Sequence, residues 1–208
     1  MSSRTRRTQQ ERSAAMRKRL LDATVECLVR YGYAGTTTTR VTELAGVTRG
    51  AQVHHFPTRS DLVAAAVRQL ADLRTELAFG GIDAVRRAAD PIDAALDLMW
   101  ELHQGPVLCA TVEIWVAART DPELRQQLTV VEPAARAALL RFAEAAFGEP
   151  GANPRLQRVL YTALDTVRGI LLLGASIPDV AELNARWKRA KADLRLLADI
   201  ALSPTVIS

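Results

Sequence analysis

The chain has 208 residues, 49% of them hydrophobic, 24% charged and two of them cysteine, which is ordinary globular composition with enough length to bury a core without staples. No apolar run approaches the length needed to span a bilayer, and the basic N-terminus lacks the apolar stretch of a secretory signal. The net charge of +4 is unevenly placed: residues 1–68 carry 12 Lys and Arg against 5 Asp and Glu, and the remainder carries 15 against 18. A basic first third joined to a mildly acidic remainder suits one part, and not the other, to a polyanion.

Aromatic residues are only 5%, so the core must be mostly Leu, Val and Ala. Ala and Leu favour helix, and Gly and Pro cluster at a few points, so an all-α fold is expected. Residues 1–12 are polar and basic and read as a flexible arm, with Arg4, Arg6, Arg7 and Arg12 suited equally to solubility and to phosphate or minor-groove contact. A first helix is expected from Ser13 to Tyr31, with Leu21, Val25 and Leu28 at helical spacing beside Leu20, Thr24 and Val29, and with Gly32 as its cap. A second begins in the threonines 36–39, turns Val41, Leu44 and Ala45 inward and breaks at Gly46. Thr48 can cap a third, which ends near His55 and Phe56 before Pro57. Ser60 can cap a fourth, whose broad apolar face runs from Leu62 through Leu70 and Leu73 to Leu77 and stops at Gly80 and Gly81. Further amphipathic runs cover about 91–104, 106–119, 121–147, 154–175 and 178–202, with a short turn near 83–89. These runs divide the chain into an arm (1–12), a head (13–57), a connecting helix (58–80) and a helical remainder (81–208).

Between residues 36 and 56 Glu43 is the only acid. The second and third helices are each about two turns long and cannot stand alone, so the first and fourth must brace them. A short, braced, basic helix–turn–helix is a DNA-binding pattern, in which the second short helix enters the major groove and threonines and helix N-termini hold phosphates. Acids are scarce in such a surface because it faces phosphate.

The stretch YGYAGTTTTRVTELAGVTRGAQVHHFPTRSDL resembles the N-terminal DNA-binding domain of the tetracycline-repressor (TetR) family. The resemblance rests on Tyr31–Gly32–Tyr33, Thr36–Thr37, Val41, Ala45–Gly46–Val47, Gly50, Phe56 and Leu62, and covers residues 13–75. Beyond it, only EIWVAARTDPEL loosely matches the family's ligand domains. The resemblance implies DNA contacts at Thr37, Thr38, Thr39, Thr48, Arg49, Gly50, Ala51, Val53, His54 and His55, and at Arg59, where the family usually carries a phosphate-binding Lys. Three positions depart from the pattern. Val53 stands where Tyr is frequent and cannot bond a phosphate. Thr42 replaces a small Ala and must fit or bond back to its helix. Gln52 replaces an apolar residue and is either a buried anchor or a base reader, and the family's geometry favours the anchor.

The resemblance further implies a homodimer closed by the last two helices, a palindromic operator in double-stranded DNA, and a ligand-responsive regulator, most often a repressor. For the effector, the cluster Met99, Trp100, His103, Cys109, Thr111, Glu113 and Trp115 mixes large apolar groups with a few polar ones, as a small-molecule pocket does, although ordinary core would look the same. It points to a hydrophobic effector oriented by His103 or Glu113. Asp165 and Arg168, at i and i+3 in an apolar run, can pair with each other, across an interface or with a ligand. No catalytic motif is present, so neither an enzyme nor a cofactor is expected. His54 and His55 are adjacent and share no helical face, so no metal is expected there. Cys27 and Cys109 read as reduced and buried in a cytoplasmic protein. The competing reading is a helical ligand-binding or scaffold protein whose head no longer binds DNA.

Overall fold

The computed structural model describes residues 8–174 and 179–203, and among them every regular element is a helix. The chain packs as two units. The first comprises residues 8–70 together with 110–129, and the second comprises 71–109 with the described residues from 130 onward. This differs from the division expected at residue 80: the head borrows a distant segment of chain.

In the first unit, α1 (Gln9–Gly35) starts four residues earlier than expected, because Thr8 and Glu11 form a capping box. Arg12 is therefore helical, and Arg4, Arg6 and Arg7 lie outside the described residues. The helix kinks at Gly32 (φ 64°, ψ −177°), a backbone region open essentially to glycine alone. Helices α2 (Thr38–Ala45) and α3 (Arg49–His55) follow, capped by the Thr37 and Thr48 hydroxyls. Gly46 ends α2 in the left-handed region (φ 60°), where its N–H reaches the Glu43 carbonyl and the Val47 N–H reaches Thr42, a Schellman closure. Helix α4 (Arg59–Gly80) begins in this unit, and from Ala71 onward belongs to the second. The core joins Leu20, Leu21 and Cys27 of α1 to Val41, Phe56, Leu62 and Ala66.

Three expected core positions are corrected. Leu44 is exposed, and Thr42 is buried in its place, because the Thr42 hydroxyl bonds back to the Thr39 carbonyl at 2.9 Å and so needs no water. Leu73 and Leu77 are also exposed; the buried face of α4 ends at Val67.

Helices α5 (Ile82–Arg87), α6 (Pro91–Leu102), α9 (Val131–Phe147), α10 (Pro154–Gly174) and α11 (Val180–Leu202) build the second unit, with a short 3₁₀ turn at Glu149–Ala152. Helices α7 (Pro106–Ala118) and α8 (Pro122–Leu128) supply residues 110–129 of the first unit. A single run over 121–147 was expected. It breaks between α8 and α9 because the Pro133 ring would strike the Thr129 carbonyl in a continuous helix. The second core centres on Trp100 and Trp187, whose rings stack 5.2 Å apart, among Leu96, Leu160, Leu164 and Val167. Ion pairs from Lys191 to Asp93 and Asp97 (2.7 Å each) and from Arg195 to Asp90 (2.6 Å) tie α11 to α6. Leu172, Leu173, Leu196, Leu197 and Ile200 of α10 and α11 remain exposed.

Candidate functional site

Helix α3 divides its residues sharply. Gln52 faces inward, 1% exposed, with its side-chain amide donating to the Phe56 carbonyl. A fully buried amide needs such a partner, and this one closes the end of α3, so Gln52 is an anchor rather than a base reader. Arg49, Gly50, Val53 and His54 are exposed on the opposite side, Val53 at 46%. Ala51 and His55 are half-buried. His55 has its pKa pushed down by burial, then by His54 and Arg17, and is neutral at pH 7.

Thr37 and Thr48 spend their hydroxyl oxygens on backbone N–H groups and keep a hydroxyl hydrogen to donate. Thr39 and Arg40 of α2 are exposed, Thr38 half-buried. The Arg40 guanidinium lies 4.8 Å from the Tyr31 ring and donates to the Gly35 carbonyl at 2.6 Å.

Arg59 behaves differently from the expectation. Its guanidinium lies over the Tyr33 ring at 4.1 Å and donates to the carbonyls of Thr36, at 2.7 Å, and Tyr33. These bonds point the group into the protein and clasp the start of α4 to the end of α1. Tyr33 is the hub of this clasp: its hydroxyl donates to Asp121 at 2.8 Å and its N–H to Glu113 at 2.8 Å. Arg19 similarly donates to the Ala45 and Gly46 carbonyls, bracing the turn between α2 and α3. Spacing could not show Arg19 or Tyr33, because their partners lie far along the chain, backbone carbonyls for Arg19 and the carboxylates of Asp121 and Glu113 for Tyr33.

The second unit holds a cavity of about 110 Å³. Its apolar wall includes Phe79, Leu98, Met99, Leu139, Phe142 and Leu164, and its polar groups include Arg74, His103 and Arg168. Thus Met99, His103 and Arg168, read from sequence as parts of two separate groups, line one cavity, and the other candidates do not join them. Trp100 is buried against Trp187, and Asp165 is mostly exposed, 3.8 Å from Arg168. Thr111, Glu113 and Trp115 belong to the first unit, where Glu113 serves the α1 kink. The side chain of Cys109 lies outside the described residues. The cluster from Met99 to Trp115 therefore divides, because the chain leaves one unit for the other at Ala110.

Arg168 is 14% exposed and donates to both Glu132 oxygens at 3.1 and 3.2 Å. Burial, then the neighbouring Arg168 charge, lowers the pKa of Arg74. His103 falls to about 4, through burial first and then the Arg74 charge. It bonds the Met99 carbonyl at 2.7 Å through Nδ1. A carbonyl only accepts, so Nδ1 carries the proton of a neutral ring. Arg74, absent from the sequence reading, had a signal: Val67, Ala71, Arg74 and Ala78 form one stripe of α4, in which the arginine is the exception.

Among the described residues no cluster of His, Cys, Asp or Glu could hold a metal ion, and no helix is long and apolar enough to cross a membrane. The family profile described as bacterial regulatory proteins, tetR family, matches residues 20–66. An uncharacterized HTH-type transcriptional regulator of Mycobacterium tuberculosis is 31% identical over 122 residues, 59% of this chain and 63% of that protein. The HTH-type transcriptional regulator CymR of Pseudomonas putida is 36% identical over 58% of this chain and 60% of its own. The repressor AcnR of Corynebacterium glutamicum is 28% identical over 80% and 87%. The matched region thus spans less than two thirds of the first two relatives. Among solved structures, a transcriptional regulator from Rhodococcus sp. Rha1 superposes with a TM-score of 0.67 at 21% identity, covering 90% of this chain and 99% of that one. The multidrug binding protein EbrR, complexed with ethidium, superposes at 0.66 with 24% identity, covering 88% and 97%. Residues 20–66, the helix-turn-helix head, thus match the tetR family of bacterial regulatory proteins, and the all-α fold over most of the chain is that of solved transcriptional regulators.

Proposed function

We propose that this protein is a homodimeric transcriptional repressor that binds a palindromic duplex operator and is released from it by a small molecule. One observation carries the reading: α3 buries Gln52 and turns Arg49, Gly50, Val53 and His54 outward, on a head whose residues 36–56 contain a single acid. An exposed, basic second helix behind a tight turn fits the major groove, where Arg reads guanine bidentately. Thr37, Thr39, Thr48 and the N-termini of α2 and α3 would position the phosphates.

The dimer is supported by the exposed Leu172, Leu173, Leu196, Leu197 and Ile200, which give α10 and α11 an apolar surface that a second copy can cover. One recognition helix reads too few bases for useful specificity, so two-fold symmetry belongs to the same reading. The effector site is the cavity beside His103, and ligand and DNA oppose each other by linkage. The relatives named as regulators and repressors, and the ethidium complex of EbrR, are consistent with both halves of this proposal.

The test is a binding-site selection from random duplexes, followed by titration at several salt concentrations. The expected result is a palindromic site whose affinity falls steeply as salt rises. Salt-insensitive or sequence-blind binding would favour the alternative of a ligand-binding protein with a silent head.

A further inference from the structure

The lining of the cavity is chemically lopsided. Arg74 of α4 and Arg168 of α10 place two guanidinium groups in a wall made mostly of Phe, Leu, Met and Ala side chains, with the Thr75 hydroxyl donating to the Ala71 carbonyl, and no lining residue is a carboxylate. Glu132 engages Arg168 and is itself 41% exposed at the side chain, so the negative charge nearest that arginine is partly solvated. The third polar group, His103, is a neutral imidazole whose proton is committed to the Met99 carbonyl, and it adds no charge of its own. Arginine stays protonated at any physiological pH, so two charged guanidinium groups line the apolar cavity, that of Arg168 shared with Glu132 at 3.1 Å and Asp165 at 3.8 Å.

We infer that the cavity binds a small organic monocarboxylate, with its apolar body against Phe79, Leu98, Met99 and Phe142 and its carboxylate at Arg74 and Arg168. Planar, forked guanidinium groups match a carboxylate's two oxygens, and the low-dielectric wall strengthens the pairing. An anion also relieves the mutual repulsion of the two arginines, which a neutral ligand leaves in place and a cation aggravates.

Size narrows the class further. The cavity measures about 110 Å³, whereas an engineered apolar cavity of about 150 Å³ accepts benzene. The space is therefore smaller than a single ring needs, and a short branched alkyl group fills it. The small residues Ala71, Ala78, Ala95 and Ala135 create this space, and larger side chains there would close it.

The inference rests on the regulator reading only in calling the ligand an effector, so its test omits DNA. The full-length protein is titrated calorimetrically at pH 7.5 with 3-methylbutanoate, the uncharged 3-methylbutanamide and the cationic 3-methylbutylamine. The carboxylate is expected to bind at least about tenfold more tightly than either isostere, the lower end for a hydrogen bond to a charged group. Equal or tighter binding of the amide or the amine overturns the inference, as does absence of binding by all three at millimolar concentration. Arg74→Met should remove the preference for the carboxylate while leaving amide affinity within about twofold; an unchanged preference overturns it. Arg168→Met would strand Glu132 and is the poorer variant. Should Arg74→Met fail to fold, the three-probe comparison on the unaltered protein decides alone. Carboxylate binding without any duplex binding would count against the regulator reading and leave the ligand class standing. Release of operator DNA by the amide but not by the carboxylate would keep the regulator reading and overturn the ligand class.

Discussion

The Glu113 carboxylate accepts the backbone N–H of Tyr33 at 2.8 Å, eighty residues away in sequence. It lies so close to Gly32 that a Cβ there would meet its Oε2 at 2.4 Å. Glycine at 32 is thus required twice, by its positive φ and by this approach. Gly32→Ala should cost roughly 2–3 kcal/mol of stability, from strain plus displacement of the carboxylate. Glu113→Gln should cost about 1 kcal/mol and leave ligand affinity unchanged, because Glu113 lies outside the cavity. Chemical denaturation and calorimetry measure the two effects, and a ligand-binding defect in Glu113→Gln would return that residue to the effector site.

Arg59 should act through the fold rather than through phosphate. Its guanidinium serves the Thr36 and Tyr33 carbonyls and the Tyr33 ring. Arg59→Ala is expected to lower the stability of the head by about 1–3 kcal/mol, with little change in the salt slope of DNA binding. A slope reduced by about one, with stability intact, would show that the residue is a phosphate contact after all.

Base reading should fall to Arg49 and His54. Arg49→Ala should relax preference at one position of each half-site, worth about 1–3 kcal/mol. Gln52→Leu should leave sequence preference unaltered, because Gln52 is a buried cap of α3. A binding-site selection with both variants checks the pair, and a specificity change from Gln52→Leu would contradict its assignment as an anchor.

His103 predicts acid sensitivity. Its folded pKa, about 4, lies below the ordinary value of 6.5. Between those values the unfolded chain holds a proton that the folded chain does not, so stability falls as pH drops from 6.5 towards 4 and is unaffected above pH 7. The loss is at most about 3 kcal/mol. Denaturation midpoints at pH 7.5 and 5 should differ less in His103→Gln than in the parent, and equal differences would remove His103 as the cause.

If α10 and α11 close the dimer, the double substitution Leu196→Glu and Ile200→Glu should give folded monomers by sedimentation and lose tight operator binding. Both side chains are exposed, 62% and 67%, so the single chain loses no buried contact by their change. A dimer that survives would place the interface elsewhere.

Much of the head was legible because its signals are local. Gly46 in the left-handed region, the threonine caps and the helical spacing of Leu20, Leu21 and Val41 each depend on a few neighbouring residues. What sequence missed was of two kinds: local bonds and breaks set against a strong apolar period, and contacts between distant helices. Thr42 was weighed, but its exchange of places with Leu44 followed from a single hydroxyl bond. The Pro133 break was present in the sequence and was overridden by the apolar period around it. The effector cluster failed for a different reason: proximity along the chain from Met99 to Trp115 stood in for proximity in space, and the cavity instead recruits Arg74 and Arg168 from distant helices.

The discontinuity of the first unit bears on how the protein is made. Residues 8–70 leave the ribosome before residues 110–129, with 39 residues between them. At about 5–20 residues per second this interval lasts roughly 2–8 s. During it α1 has its glycine kink but not yet the carboxylate that holds Tyr33, and the Tyr33 hydroxyl has no Asp121 to meet. The basic third of the chain is therefore not a portable module. Cut out and fused to another protein, it would carry the recognition helix without part of its brace.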